Sequence, residues 1–232
     1  MSDDLLKAIA HAGDEDLPAD LEQALADPET LSTAIEIVQG DPQWCERVYK
    51  LLLSGEQAKR GAHHNDAACA RYLGRHAYQV PEVIHYLLSQ KSPHWDVLIE
   101  LALAHRPERL PDFLPRALRS WQEHRLTASA VLALLDTPWS RGVLVEHLNA
   151  TKSQDRTYEA RAALRECQGE QGNDAARCWE ERHPEERAAV PADDRFDYSF
   201  DGGIHKVLLD RMGELAELVQ GVRNRLPQGE PG

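Results

Sequence analysis

Residues 126–168 read LTASAVLALLDTPWSRGVLVEHLNATKSQDRTYEARAALRECQ and contain the clearest helix signals in the chain. Thr137-Pro138 is a typical helix start, because a threonine side chain caps the first turn and proline fits the first helical position. Apolar residues follow at helical spacing up to Leu148, and after a short polar turn residues 160–167 repeat that spacing. The stretch therefore predicts two amphipathic helices joined by a tight turn.

Comparable helix boundaries recur along most of the chain. Starts made of a capping residue and a proline lie at Asp27-Pro28, Asp41-Pro42 and Ser92-Pro93. Glycines at expected helix ends are Gly40, Gly55 and Gly74. About ten to twelve helices are expected between these marks, and the one strand-like alternation lies at residues 196–200. The fold is therefore predicted to be all-α.

A helix, a short turn and an Ala/Leu-rich helix with interleaved arginines, as in residues 126–168, resemble one unit of the HEAT-like helical repeats. The resemblance implies an irregular α-α superhelix of stacked helix hairpins, in which a concave face typically holds a protein partner. An irregular helical bundle is the alternative architecture, since the sequence shows no strict repeat period. We predict stacked hairpins over residues 1–182.

The chain is acidic, with a net charge of −13 over 232 residues. Residues 1–60 contain 13 acidic and 5 basic side chains, and residues 151–232 contain 17 and 12, whereas residues 61–150 are balanced. Nucleic acid and anionic membrane surfaces are disfavoured as ligands, because binding them requires an excess of Lys and Arg. The acid excess instead favours a partner protein with a basic surface, unless it serves solubility alone.

Several features favour a cytoplasmic protein. The four cysteines, at positions 45, 69, 167 and 178, form no CxxC pair, which is consistent with reduced thiols. Residues 1–12 lack the long apolar run of a signal peptide. No stretch approaches the roughly 20 apolar residues of a membrane span.

The last fifty residues have a different pattern. Residues 183–203 lack helical spacing and are predicted to form a connector, residues 204–226 a capping helix, and residues 227–232 a disordered tail. The apolar residues of the helix space as an a/d seam, namely Leu208, Met212, Leu215, Val219, Val222 and Leu226. This seam indicates either packing on the last hairpin or a homodimer contact.

The connector contains residues 193–201, DDRFDYSFD, which combine four acids with three aromatics. Either the aromatics fasten the last helix to the stack, or acids and aromatics together form a contact surface for a basic partner. Trp139 is expected to be a core anchor, partly exposed at a hairpin end. The candidate partner-binding residues are Asp193, Asp194, Phe196, Asp197, Tyr198, Phe200, Asp201 and Trp139.

Metal chemistry has one candidate set in the His-rich middle third. His63, Asp66 and Cys69 lie about one helical turn apart, so they could share a face and hold a metal ion. The alternative is an ordinary polar helix surface, because no HExxH or second ligand pair follows. We therefore assign no metal ligand and no cofactor.

Catalytic and phosphate-binding motifs are also weak. The sequence has no GxSxG and no Gly-rich phosphate loop, so no catalytic residue is assigned. Arg109, Arg116 and Arg119 could form a phosphate-binding stripe or could pair with acids of their own helix.

The sequence therefore predicts a non-enzymatic, protein-binding helical-repeat protein. It would neutralise or scaffold a basic partner, as a toxin-immunity protein or an assembly adaptor does. The alternative is a metal-binding or enzymatic helical protein that uses the histidines of the middle third.

Overall fold

A computed structural model describes residues 17–54, 63–185 and 203–226, and this part of the chain is all-α, as the sequence predicts. It contains α-helices of 8 to 20 residues, and no described residue lies in a strand. The helices are α1 (Leu17–Ala26), α2 (Leu31–Val38), α3 (Cys45–Leu53), α4 (His63–Arg75), α5 (Val80–Ser89), α6 (Trp95–His105), α7 (Leu110–Ala117), α8 (Gln122–Leu135), α9 (Pro138–Ala150), α10 (Gln154–Arg165), α11 (Glu170–Arg182) and α12 (Gly203–Val222). None of these helices is long and apolar enough to cross a membrane.

Two of the predicted helix starts are formed by the side chains that the sequence indicates. The Thr137 hydroxyl accepts a hydrogen bond from the Ser140 amide (3.1 Å), and the Thr137 amide donates to the Ser140 hydroxyl (2.9 Å), which makes a capping box at the start of α9. The Asp41 carboxylate accepts a hydrogen bond from the Gln43 amide (3.0 Å) and so caps a 3-10 turn that precedes α3. The other two capping-proline pairs lie in turns that precede α2 and α6.

The first compact unit spans Met1–Val97. In it α1 packs on α2, and α4 packs on α2, α3 and α5. The apolar stripes of these helices meet in a core whose fully buried side chains include Leu25, Leu31, Leu52, Leu73 and Leu87. Burial of such side chains supplies most of the stability of short helices.

The second compact unit, Leu98–Gly232, is built around α8. This helix packs on α7, α9, α10 and α12, and ten of its fourteen residues are buried, so it is a central element of the unit. Around it, α9 packs on α10, and α10 packs on α11. The boundary between the units falls inside α6, within the residues 1–182 for which stacked hairpins are predicted.

A glycine allows the close contact between α10 and α11. A Cβ added to Gly172 would lie 2.3 Å from the carbonyl oxygen of Leu164 and 2.6 Å from Cβ of Cys167. Any larger residue would therefore push the start of α11 away from the end of α10.

The C-terminal helix α12 turns its apolar seam toward the rest of the second unit. Its seam residues Leu208, Leu215, Val219 and Val222 are at most 2% exposed, and α12 packs on α8 and α10. A homodimer through this seam would require α12 to leave these helices. Residues 186–202 of the predicted connector and the tail at 227–232 lie outside the described residues.

Candidate functional site

The structure brings together a different set of residues from the one that the sequence indicates. Seven of the eight candidate partner-binding residues, those from Asp193 to Asp201, lie outside the described residues. The eighth, Trp139, is only 7% exposed, so the expectation that it is partly exposed is wrong. The reason is that Trp139 lies between Thr137 and Ser140, the two buried residues of the capping box, and packs into the unit with the rest of α9.

Two of the three candidate metal residues, Asp66 and Cys69, are engaged in other ways, and the side chain of His63 lies outside the described residues. Asp66 is buried and accepts a hydrogen bond from the Tyr86 hydroxyl (3.2 Å). Burial, together with the charge of Asp66, raises the pKa of the Cys69 thiol to about 12, so this thiol stays protonated and is a poor metal ligand. Among the side chains that the structure describes, no group of three His, Cys, Asp or Glu could hold a metal ion.

The second unit contains a groove of about 650 Å³ between α7, α9 and the start of α10. Three cationic side chains line it, namely Arg119, Lys152 and Arg156, and we call it the cationic groove. Its single acidic lining residue is Glu146, so the formal charge of its walls is positive although the chain as a whole is acidic. A cavity of this size is in the range of ligand-binding sites.

The three cations of the groove are not neutralised by the part of the protein that the structure describes. Arg119 and Lys152 are exposed and Arg156 is half-buried, and none of the three side chains forms a hydrogen bond or ion pair with a described residue. Many other arginines of the second unit do have such a partner, for example Arg125 with Glu159 (2.7 Å). The positive charge of the groove is therefore available to a ligand.

His147 forms a buried part of the groove wall. It is only 9% exposed, and its ring makes no hydrogen bond to a described residue. Burial, reinforced by the positive charges of Arg156, Arg125 and Arg119, lowers the pKa of His147 to about 4. The ring is therefore neutral at pH 7 and has one nitrogen that can donate and one that can accept a hydrogen bond.

The N-terminus of α10 also faces this region. Ser153 is the N-cap residue of α10 and lines the groove, but its side chain makes no capping hydrogen bond. The first N–H groups of any α-helix lack intrahelical acceptors and carry partial positive charge. This terminus therefore adds to the positive potential that the three cations create.

The largest exposed apolar side chain among the described residues of the second unit lies close to the groove residue Arg119 in sequence. Trp121 is 74% exposed and precedes α8, two residues after the groove residue Arg119. The other four tryptophans of the chain are at most 9% exposed. An exposed tryptophan is typical of a binding hot spot, since it costs little conformational entropy to place a large apolar surface against a partner.

The arginines between residues 109 and 125 make different interactions in the structure. Arg109 lies 3.7 Å from Asp112, and its guanidinium lies over the Phe113 ring, 5.2 Å from the centroid. Arg125 forms two hydrogen bonds with the buried Glu159. Only Arg119 of the predicted stripe lines the groove. The other two cations there are Lys152, in the turn between α9 and α10, and Arg156 in α10, a grouping that helical spacing alone does not indicate.

Comparison of the chain with protein-family models, with curated proteins and with solved structures finds no significant match. The geometry of the groove and its surroundings therefore carries the functional argument.

Proposed function

We propose that this chain is a non-enzymatic helical protein that binds a partner protein through the cationic groove and through Trp121, which lies two residues after the groove residue Arg119 in sequence. The observation that carries the proposal is the exposed Trp121, which is 74% accessible and lies two residues after Arg119 in sequence. Arg119 is one of the three groove cations, which lack partners among the described residues. Hot spots at protein interfaces combine such an aromatic anchor with arginine. The partner would present an acidic or otherwise anionic group to the groove.

The described cysteines support binding in place of thiol chemistry. Burial raises the pKa of Cys69 and of Cys167 to about 12, so neither thiol is a nucleophile at neutral pH. None of the four cysteines forms a disulfide, which supports the proposal that the protein works in a reducing compartment such as the cytoplasm.

The architecture supports a helical-repeat scaffold within the second unit. Helices α8, α9, α10 and α11 each pack on the next, and α8 and α9 also contact the helix after that. Successive contacts of this kind occur in stacked hairpins, which supports the proposal of such an arrangement. We propose a HEAT-like arrangement for this part of the chain.

A second candidate function follows from the acidity of the first unit. Glu29 and Glu36 are exposed, and the apolar Ile37, which follows Glu36 in the sequence, is 43% exposed. Such a surface would suit a partner with a basic surface, as in a toxin-immunity protein or an assembly adaptor. This candidate places the contact on the first unit and gives no role to the cationic groove.

Partner capture with single-residue variants tests the proposal and separates the two candidates. Tagged full-length chain is used to recover partners from its native host, with Trp121→Ala compared with the wild type. We expect Trp121→Ala to weaken recovery of a specific partner by at least about tenfold, because loss of a hot-spot residue costs about 2 kcal/mol or more. Ile37→Ala is the control, since it removes an exposed apolar side chain from the other unit.

The two candidate functions predict opposite effects of the two variants on partner recovery. Loss with Trp121→Ala and retention with Ile37→Ala support the groove-side contact. The reverse pattern supports the acidic surface of the first unit and contradicts the leading proposal. Circular dichroism of each variant checks that the helices remain folded.

A further inference from the structure

We propose that the cationic groove is a phosphate-recognition site, in which Arg119, Lys152 and Arg156 bind a phosphorylated side chain in an extended segment of the partner protein. This inference rests on the proposed function, because it names the group that the partner would place in the groove. It is supported by the groove's formal charge, by its unpartnered polar groups and by its apolar surface.

The charge of the groove matches a phosphomonoester better than a carboxylate. Three cations and Glu146 give the lining a formal charge of +2 while His147 is neutral. A phosphorylated side chain carries about −1.5 to −2 charges at pH 7 and offers three strong acceptor oxygens. A carboxylate brings one charge and two oxygens, so it would leave part of this positive charge without a counterion.

Buried and terminal donors add directional recognition to the charge. His147 is nine-tenths buried in the groove wall and its ring has no partner among the described residues, so it can donate one hydrogen bond to a ligand oxygen. The Ser153 hydroxyl makes no capping bond, and the N-terminus of α10 favours an anion. Two guanidinium groups, from Arg119 and Arg156, are well suited to phosphate because each can form paired N–H···O bonds.

The apolar part of the groove indicates that the phosphate belongs to a larger ligand. Leu118 and Val143 line the groove together with Pro115 and Ala150, and a free phosphate ion would leave this surface uncovered. The volume of about 650 Å³ is several times what one phosphate group occupies. Trp121 is exposed and lies two residues after Arg119 in sequence, and it would offer a further apolar contact for a chain that continues beyond the groove.

The direct test follows the ring signals of His147 by NMR in the full-length chain, at constant ionic strength. Three probes are titrated separately: a degenerate nine-residue peptide library with a central phosphoserine, the same library with a central glutamate, and inorganic phosphate. We expect saturable shifts of the His147 signals with the phosphoserine library. We expect at least about tenfold weaker binding for the glutamate library and for inorganic phosphate, since each lacks part of the recognised group.

Charge-neutralising variants locate the site. Arg119→Gln combined with Arg156→Gln should weaken binding of the phosphoserine library by at least about tenfold, because two charge-assisted contacts are lost. The matched control, Arg177→Gln with Arg225→Gln, also removes two exposed arginine charges from the second unit but lies outside the groove. Lys152→Gln, an exposed single substitution, provides the same test if the double variant does not fold.

Each contrary outcome overturns the inference in a different way. Equal binding of the glutamate library would make the groove a carboxylate site, and equal binding of inorganic phosphate would remove the role of the peptide. Unchanged His147 signals with all three probes, or equal effects of the groove and control variants, would remove the site. If the glutamate library or inorganic phosphate binds equally well while partner capture still depends on Trp121, the phosphate inference fails and the proposed function stands. If the site itself is removed, both the inference and the groove contact of the proposed function fail.

Discussion

His147 illustrates how a single residue of the groove responds to its surroundings. An ordinary histidine has a pKa near 6.5, whereas burial and the nearby arginines lower the pKa of His147 to about 4. Between these two values the unfolded chain binds a proton at this position and the folded chain does not. The contribution of His147 to stability is therefore fully present above pH 6.5 and is lost progressively as the pH falls toward 4.

Replacing His147 by Gln should make the stability of the protein less sensitive to acid. The free energy of unfolding should fall less steeply in His147→Gln than in the wild type between pH 6.5 and pH 4.5. The difference in slope is at most about 1.4 kcal/mol per pH unit. Urea denaturation at several pH values measures it, with His85→Gln as an exposed histidine control. Parallel curves for wild type and His147→Gln would contradict the buried, neutral state of this ring.

At the scale of single residues, the sequence does not predict which tryptophan and arginine side chains are buried. Spacing places Trp139 at a helix start, but it does not say that Trp121 is the tryptophan left exposed, because exposure depends on which helices cover the residue. Arg125 and Arg119 are equally polar in the sequence. One is buried against Glu159 and the other lines the groove, since they face different neighbours across the unit.

At the scale of the helices, the sequence predicts the class and the main boundaries well. Periodic apolar residues, prolines and capping side chains are local signals, and α9 begins at the capping box that they indicate. By contrast, the burial of charged residues in α10 cannot be predicted from the local sequence. Glu159 and Arg161 are charged residues of α10, yet both are buried and form ion pairs with partners on α8 and α11.

The packing of α12 on α8 yields a prediction at this scale. Leu215 is 2% exposed, and Leu218 on the same helix is 37% exposed. Leu215→Ala should lower the free energy of unfolding by about 2 to 5 kcal/mol, because it leaves a cavity in the core of the second unit. Leu218→Ala should change it by less than about 1 kcal/mol. Urea denaturation of both variants checks this, and equal effects would mean that α12 does not pack through its seam.

At the scale of the whole molecule, the net charge does not show how acidic and basic side chains are distributed. The net charge of −13 predicts a partner with a basic surface, and the first unit has exposed acids such as Glu29 and Glu36. The second unit nevertheless contains a groove whose lining has an excess of positive charge. Two segments that are distant in sequence supply these cations, one with Arg119 and the other with Lys152 and Arg156, so composition and spacing could not indicate the groove.

The central claim is that the cationic groove receives an anionic group of a partner protein. Partner capture with a charge-reversed groove, Arg119→Glu and Arg156→Glu, tests it most directly. Arg177→Glu with Arg225→Glu is the control that makes the same change in net charge elsewhere in the second unit. We predict that the groove variant loses the partner and the control keeps it. Retained or stronger capture by the groove variant would contradict the claim and would favour a basic partner that does not use the groove.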